Sequence, residues 1–197
     1  MFDSHLTMRE NISRMCSTSY FQLRSIAAIR DSLSQEATIH LVHAFVTSRI
    51  DYCNSLLFGL PEYAIKRLQC VQNVAARMVV RKSKRDSATC ILKQLHWLPV
   101  KQRIEFKILL ITFKALKGVA PSYLQCLLQQ YVPTRSLRSE SANLLIVPKT
   151  HRKIGTQTFM YAAPTLWNQL PPHLRMMNSL STFKSALKTH LFRQAFT

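Results

Sequence analysis

Glycine and acidic residues are both scarce, with three glycines and nine Asp or Glu in 197 residues. So little glycine disfavours a turn-rich β architecture and leaves no Gly-rich loop to cradle a nucleotide phosphate. The acid shortage is uneven, because beyond Glu105 only Glu140 is acidic. Paired carboxylates for acid–base or metal chemistry are therefore scarce in the second half. Neither G-x-S-x-G nor H-E-x-x-H occurs. The five cysteines (Cys16, Cys53, Cys70, Cys90, Cys126) are widely spaced, with no C-x2-C pair and no Cys/His grouping at zinc spacing, so they read as reduced, mostly buried thiols. No apolar run is long. Ile108 to Phe113, the longest, is far short of the roughly 20 residues a spanning helix needs. The opening Met-Phe-Asp-Ser-His lacks the basic-then-apolar order of a signal peptide, so a nuclear or cytoplasmic, non-secreted protein is expected.

What is abundant is positive charge. The formal net charge is +18, and 47% of residues are hydrophobic, enough for a folded core in one domain or two small ones. Residues 1–76 hold seven Lys/Arg against six Asp/Glu, whereas residues 77–197 hold twenty against three. Such asymmetry points to a polyanionic partner, phosphate backbones first among them.

The pattern along the chain is mostly helical. A first helix is expected from about Ser4 to Arg30, with Leu6, Ile12, Met15, Leu23 and Ile26 on its apolar side. Ile39, Val42, Val46, Ile50 and Cys53 form one stripe, ending near Phe58-Gly59, and Pro61 opens a second helix through Ile65, Leu68, Val71, Ala75 and Met78. The two read as a helical hairpin. Asp86 or Ser87 is expected to cap a short helix to Leu95, residues 101–117 form the most apolar helix, and Pro121 starts another. After Tyr131, Pro133 to Ser141 reads as a loop. Leu144–Val147 and Thr156–Tyr161 read as a two-stranded β-hairpin joined by a basic link, and Pro164, Pro171 and Pro172 are expected to chop the next stretch into turns. A last helix starts near Ser181. The expected fold is thus mostly α, a helical bundle over 1–131 followed by a small α+β region over 132–197 with a short hairpin.

Five ordered stretches carry a family likeness: Ser48 to Pro61 (S-R-I-D-Y-C-N-S-L-L-F-G-L-P), Arg67 to Arg77, Leu95 to Val100 (L-H-W-L-P-V), Arg103 to Tyr123, and Ala162 to Pro171. Together they resemble the region just downstream of the polymerase palm in non-LTR (LINE-type, chicken-repeat-1/L2-like) retrotransposon reverse transcriptases. The resemblance implies a thumb-like bundle that tracks a primer–template duplex. It does not imply catalysis. That family holds two metal ions on palm aspartates, an adjacent pair among them. Here the aspartates are Asp3, Asp31, Asp51 and Asp86, none adjacent to another, and the chain is expected to begin at or after the last palm strand, near Phe2-Asp3-Ser4-His5. Some relatives carry a Cys/His knuckle near the C-terminus, and this sequence departs from them there.

The candidate contacts are therefore cationic. Arg77, Arg81, Lys82, Lys84 and Arg85 put five cations in nine residues at a helix end, where they can grip phosphates or simply complement the helix dipole. Lys101, Arg103, Lys107, Lys114 and Lys117 ride the apolar helix, and Lys149, Arg152 and Lys153 form the basic link at the expected hairpin tip. Trp97 and Trp167 could stack on bases, but their apolar and proline-flanked settings favour core packing. Asp51 is read as a helix cap or an ion pair with Arg49. No catalytic residue, metal ligand or cofactor is expected. The expected function is a non-catalytic polymerase fragment that binds RNA or RNA–DNA duplex and no membrane. The alternative is a helical interaction module, meeting a protein partner or itself through an exposed apolar face, or a decayed reading frame with no selected function.

Overall fold

Ile12, Cys16, Ser19, Leu23 and Ile26 repeat every three or four residues, and this single stripe makes α1 (Arg9–Ile29) amphipathic. In the computed structural model, which describes residues 8–132, 143–152 and 154–197, all five are buried. The helix start expected near Ser4, and Leu6 with it, lie outside the described residues. Contacts divide the chain into two units, one running up to Arg103 and including Gln194–Thr197, the other comprising Ile104–Arg193.

In the first unit, Ser34 caps α2 (Gln35–Val42) by accepting from the Ala37 N–H at 3.1 Å. A π-turn (His43–Thr47) carries α2 on into α3 (Ser48–Asp51). The expected stripe holds at Val42, Val46 and Ile50, but Cys53 leaves it. Its φ of 52° is left-handed and its side chain is exposed, because the helix has already ended at Tyr52. After Pro61, α4 (Glu62–Val80) buries Ala64, Leu68, Val71, Ala75, Ala76 and Val79, so the buried face includes Ala64 and Val79 while Ile65 and Met78 are only half-buried. Each such buried Leu or Val contributes about 1.5–3 kcal/mol. Helix α4 packs on α1, α2 and α5 (Ala88–Gln94). The thiols depart from expectation. Cys16 is buried, which raises its pKa, but Cys53, Cys70, Cys90 and Cys126 are exposed.

Three helix ends share one solution. Lys82 N–H donates to Arg77 O and Arg81 N–H to Met78 O, with Arg81 left-handed at φ 54°. The same paired bonds close α5 through His96 (φ 53°) and α6 (Val100–Leu116) through Gly118 (φ 70°). This is the Schellman arrangement, which glycine normally fills. With three glycines available, two of these turns are made by Arg81 and His96 instead.

In the second unit, residues 104–116 of α6 are followed by α7 (Ser122–Gln125), α8 (Phe159–Gln169), α9 (Pro172–Arg175) and α10 (Leu180–Phe196). Phe113 and Phe183 stack at 4.2 Å with 14° between their planes, and Trp167 lies 5.9 Å from Phe183. That aromatic cluster, with Leu174 and Leu187, is the core.

The β-hairpin is absent among the described residues, where no strand forms. Leu145 makes a single antiparallel bridge with Gln130 instead. Its amide groups are taken by a side chain. Asn168 accepts from Leu145 N–H at 2.9 Å and donates to Leu145 O at 2.8 Å, and Trp167 Nε1–H donates to Asn143 O at 2.8 Å. A second strand would have nothing left to pair with at this residue. The segment expected as that strand, Thr156–Tyr161, instead enters a 3-10 turn (Gly155–Gln157) and then α8, since Ala162, Ala163, Leu166 and Trp167 bury at helical spacing. Pro164 lies inside α8 rather than breaking it, buried with its neighbours, so packing outweighs the lost N–H bond. The loop expected over 133–141 lies outside the described residues.

Candidate nucleic-acid interface

Five of the candidate cations fall at the turn after α4. Its shape comes from two fixed points. Asp86 Oδ2 accepts the Ser83 N–H at 2.7 Å, and Arg77 donates from Nε and Nη2 to Asp86 O at 3.2 and 3.1 Å. The Ser83 backbone and hydroxyl, in that order, hold the Asp86 carboxyl below its ordinary pKa, and the charges of Lys82 and Arg77 lower it further. Asp86 therefore closes the turn rather than capping α5, and Ser87 occupies the cap position without a side-chain bond.

Arg77 and Arg81 shape this turn. Arg81 donates to Arg30 O at 3.3 Å and reaches Asp31 at 3.7 Å, an exposed pair of little energetic weight. Lys82, Lys84 and Arg85 are exposed, and their side chains make no hydrogen bond or ion pair among the described residues. Beneath the turn lies a residue that the sequence did not single out. Arg30 is 8% exposed and donates to Met78 O at 3.1 Å, Val79 O at 3.0 Å and Leu33 O at 2.8 Å. It places a cation on the carbonyl end of α4, where the helix dipole favours one. A lone arginine between Ile29 and Asp31 carries no sequence signal for that role.

The other candidates separate by environment. Lys101 is exposed. Arg103 forms a bidentate ion pair with Asp51, 2.8 Å from Nε to Oδ1 with Nη2 on Oδ2. Asp51 thus pairs with Arg103, fifty-two residues on, and not with Arg49. On α6, Lys107 and Lys114 lie within about 20° of one another on the helix circumference, and Lys117 follows just past its end. Lys107 is exposed and Lys114 half-buried, while Lys117 donates to Asn178 Oδ1 at 2.8 Å. Lys149 and Arg152 are exposed on a segment that is not a hairpin tip, and Lys153 lies outside the described residues.

Both tryptophans are buried, as their apolar and proline flanks predict. Trp97 packs at 5.1 Å from the His43 ring, and Trp167 is 2% exposed. The stretches that carried the family likeness also meet one another. Gln72 donates to Leu98 O at 2.9 Å and Gln69 accepts from Val100 N–H at 2.9 Å, so the 67–77 stretch holds the 95–100 stretch in place.

The first unit also carries an apolar groove of about 660 Å³ between α1 and the 48–57 segment, lined by Met8, Met15, Tyr52, Leu56 and Leu57 with Arg14 and Arg49. Tyr52 is 80% exposed there. Among the described residues no group of His, Cys, Asp or Glu could hold a metal ion, and no helix is long and apolar enough to cross a membrane.

No family model, no curated protein and no solved structure matches the chain.

Proposed function

We propose that the chain binds RNA or RNA–DNA duplex through phosphate contacts, as a non-catalytic portion of a non-LTR retrotransposon RNA-directed DNA polymerase. The observation that carries this reading is the turn after α4. Lys82, Lys84 and Arg85 stand exposed on a backbone tied down by Asp86 and Arg77. The backbone of the turn is already ordered, so binding phosphates costs only side-chain rotamer freedom, and each contact releases counterions. Lys101 is a further exposed cation of the first unit, Lys107, Lys149 and Arg152 are exposed cations of the second, and Arg103 is largely committed to Asp51. The reading assigns no reaction to the chain and puts it in the nucleus or cytoplasm.

A labelled RNA–DNA duplex titrated across a salt series tests it. A slope of log K on log[salt] of about −4 or steeper is expected, corresponding to roughly five phosphate contacts. Reversing Lys82, Lys84 and Arg85 to Glu should flatten it by about 2.7 or more. A helical protein that shows no binding at low salt ends the reading.

The groove beside α1 favours a second reading, a helical interaction module that meets a protein or a second copy of itself. An apolar groove of this extent with a largely exposed Tyr52 is a surface that association would cover. Association through it would persist at high salt, where phosphate binding collapses.

A further inference from the structure

Arg175 ends α9 at 7% exposure, and its Nε and Nη1 atoms have no hydrogen-bond partner among the described residues. No carboxylate pairs with it there either. Burial pushes its pKa below the ordinary guanidinium value. A buried cation with unpaired donors is strongly unfavourable unless a counter-charge joins it.

The surroundings supply a place for one. Arg175 lines a cavity of about 70 Å³ together with Lys117, Gln130, Asn143 and Trp167. Trp167 has already given its N–H to Asn143 O, so it forms a wall. The Lys117 ammonium donates to Asn178 and keeps two further N–H groups. Among the described residues, two cations and no carboxylate line a space with room for a small oxyanion and none for a nucleoside.

We propose that this cavity is a receptor for a phosphate-class oxyanion, held by the unpartnered N–H groups of Arg175 with the Lys117 ammonium beside it. Guanidinium N–H groups in a fixed plane form short, charge-assisted bonds to such oxygens. The oxyanion has two possible sources, free inorganic phosphate or the terminal phosphate of a nucleic-acid strand. A terminal phosphate carries one substituent and can reach into a small cavity. An internal phosphodiester is flanked on both sides and cannot. The site stands independently of the basic turn after α4.

Thermal unfolding of the full chain in phosphate, against chloride at matched ionic strength, is the test. Phosphate should raise Tm above chloride by more than its general exclusion from protein surface gives, and Arg175→Met should shrink that gain to the general part. In chloride the same variant should unfold at a higher temperature than the parent, because an uncompensated buried cation has been removed. An equal Tm in the two salts, or a phosphate gain undiminished by Arg175→Met, overturns the proposal. If Arg175→Met does not fold, Lys117→Gln serves instead. Phosphate should then bind roughly tenfold more weakly, and an unchanged affinity overturns the site. With the phosphate gain established, a 5′-phosphorylated oligonucleotide binding about tenfold tighter than its 5′-hydroxyl twin assigns the source to strand ends. Equal binding of the two assigns it to free phosphate.

Discussion

The two units treat buried charge in opposite ways. Up to Arg103 the core is mainly aliphatic, built from residues such as Leu23, Val42, Val46, Leu68 and Val71, and the buried Arg30 and the half-buried Arg77 and Arg103 are each answered. Arg30 caps the carbonyls of α4, Arg77 grips Asp86 O and Arg103 grips Asp51. From Ile104 to Arg193 the core centres on Phe113, Trp167 and Phe183, and the buried Arg175 has no such answer among the described residues. The cause lies in composition. In that stretch only Glu105 and Glu140 are acidic, so a carboxylate such as the one that answers Arg103 in the first unit is scarce in the second. A protein region with so few acids keeps its positive charge for whatever approaches from outside.

The largest expected effect sets the two cores side by side. Phe183→Ala removes a ring stacked on Phe113 and should cost about 4 kcal/mol, against about 3 kcal/mol for Leu68→Ala in the aliphatic core. Denaturant unfolding of the two variants gives both values, and a smaller loss for Phe183→Ala would remove the aromatic cluster as the organising core. Next comes Arg30→Met, which strips the donors from Met78 O, Val79 O and Leu33 O and should lose about 2–3 kcal/mol. The buried arginine of the second unit should respond with the opposite sign in chloride. If both arginine-to-methionine changes stabilised the protein, the contrast between the units would be broken.

Smaller is Asp51→Asn. The Arg103–Asp51 pair is part-exposed, so a loss of about 0.5–1 kcal/mol, shrinking as salt is added, is expected from thermal melts. The smallest effect concerns Asp86. Its folded pKa lies below the ordinary 3.8, so the turn it closes is supported above that value and loses support as pH falls through the lower folded value. Titration of the Asp86 carboxyl carbon by NMR should give a midpoint below 3.8. A midpoint at or above it would mean that the Ser83–Asp86 turn is not held in solution.

Much of the helical plan was legible. Stripes such as Val42, Val46 and Ile50 reveal a buried face because a helix repeats every 3.6 residues, and Pro61 and Gly118 mark helix boundaries through their own backbone preferences. The hairpin failed for a different reason. Leu144–Val147 has the composition of a strand, but whether it pairs depends on what meets its amide groups, and Asn168 meets them at Leu145. Thr156–Tyr161 looked β-leaning taken alone, yet it leads into a helix whose apolar face is completed only by Leu166 and Trp167. Among the candidate contacts, the run after α4 stood out because adjacent charges need no fold to be adjacent. The partners of Arg103 and Arg30, and the want of one at Arg175 among the described residues, did not, since each depends on which groups folding brings near.

Sequence alone determined the cationic excess, the shortage of acids in the second half, and the helical periodicity. These are properties of composition and local spacing, and no fold can change them. Only the tertiary structure decided which cations are occupied and which are exposed. A guanidinium is neutralised by whatever carbonyl or carboxylate folding carries to within about 3 Å of it. For Arg103 that was a residue fifty-two positions away, and for Arg175 it was none among those described.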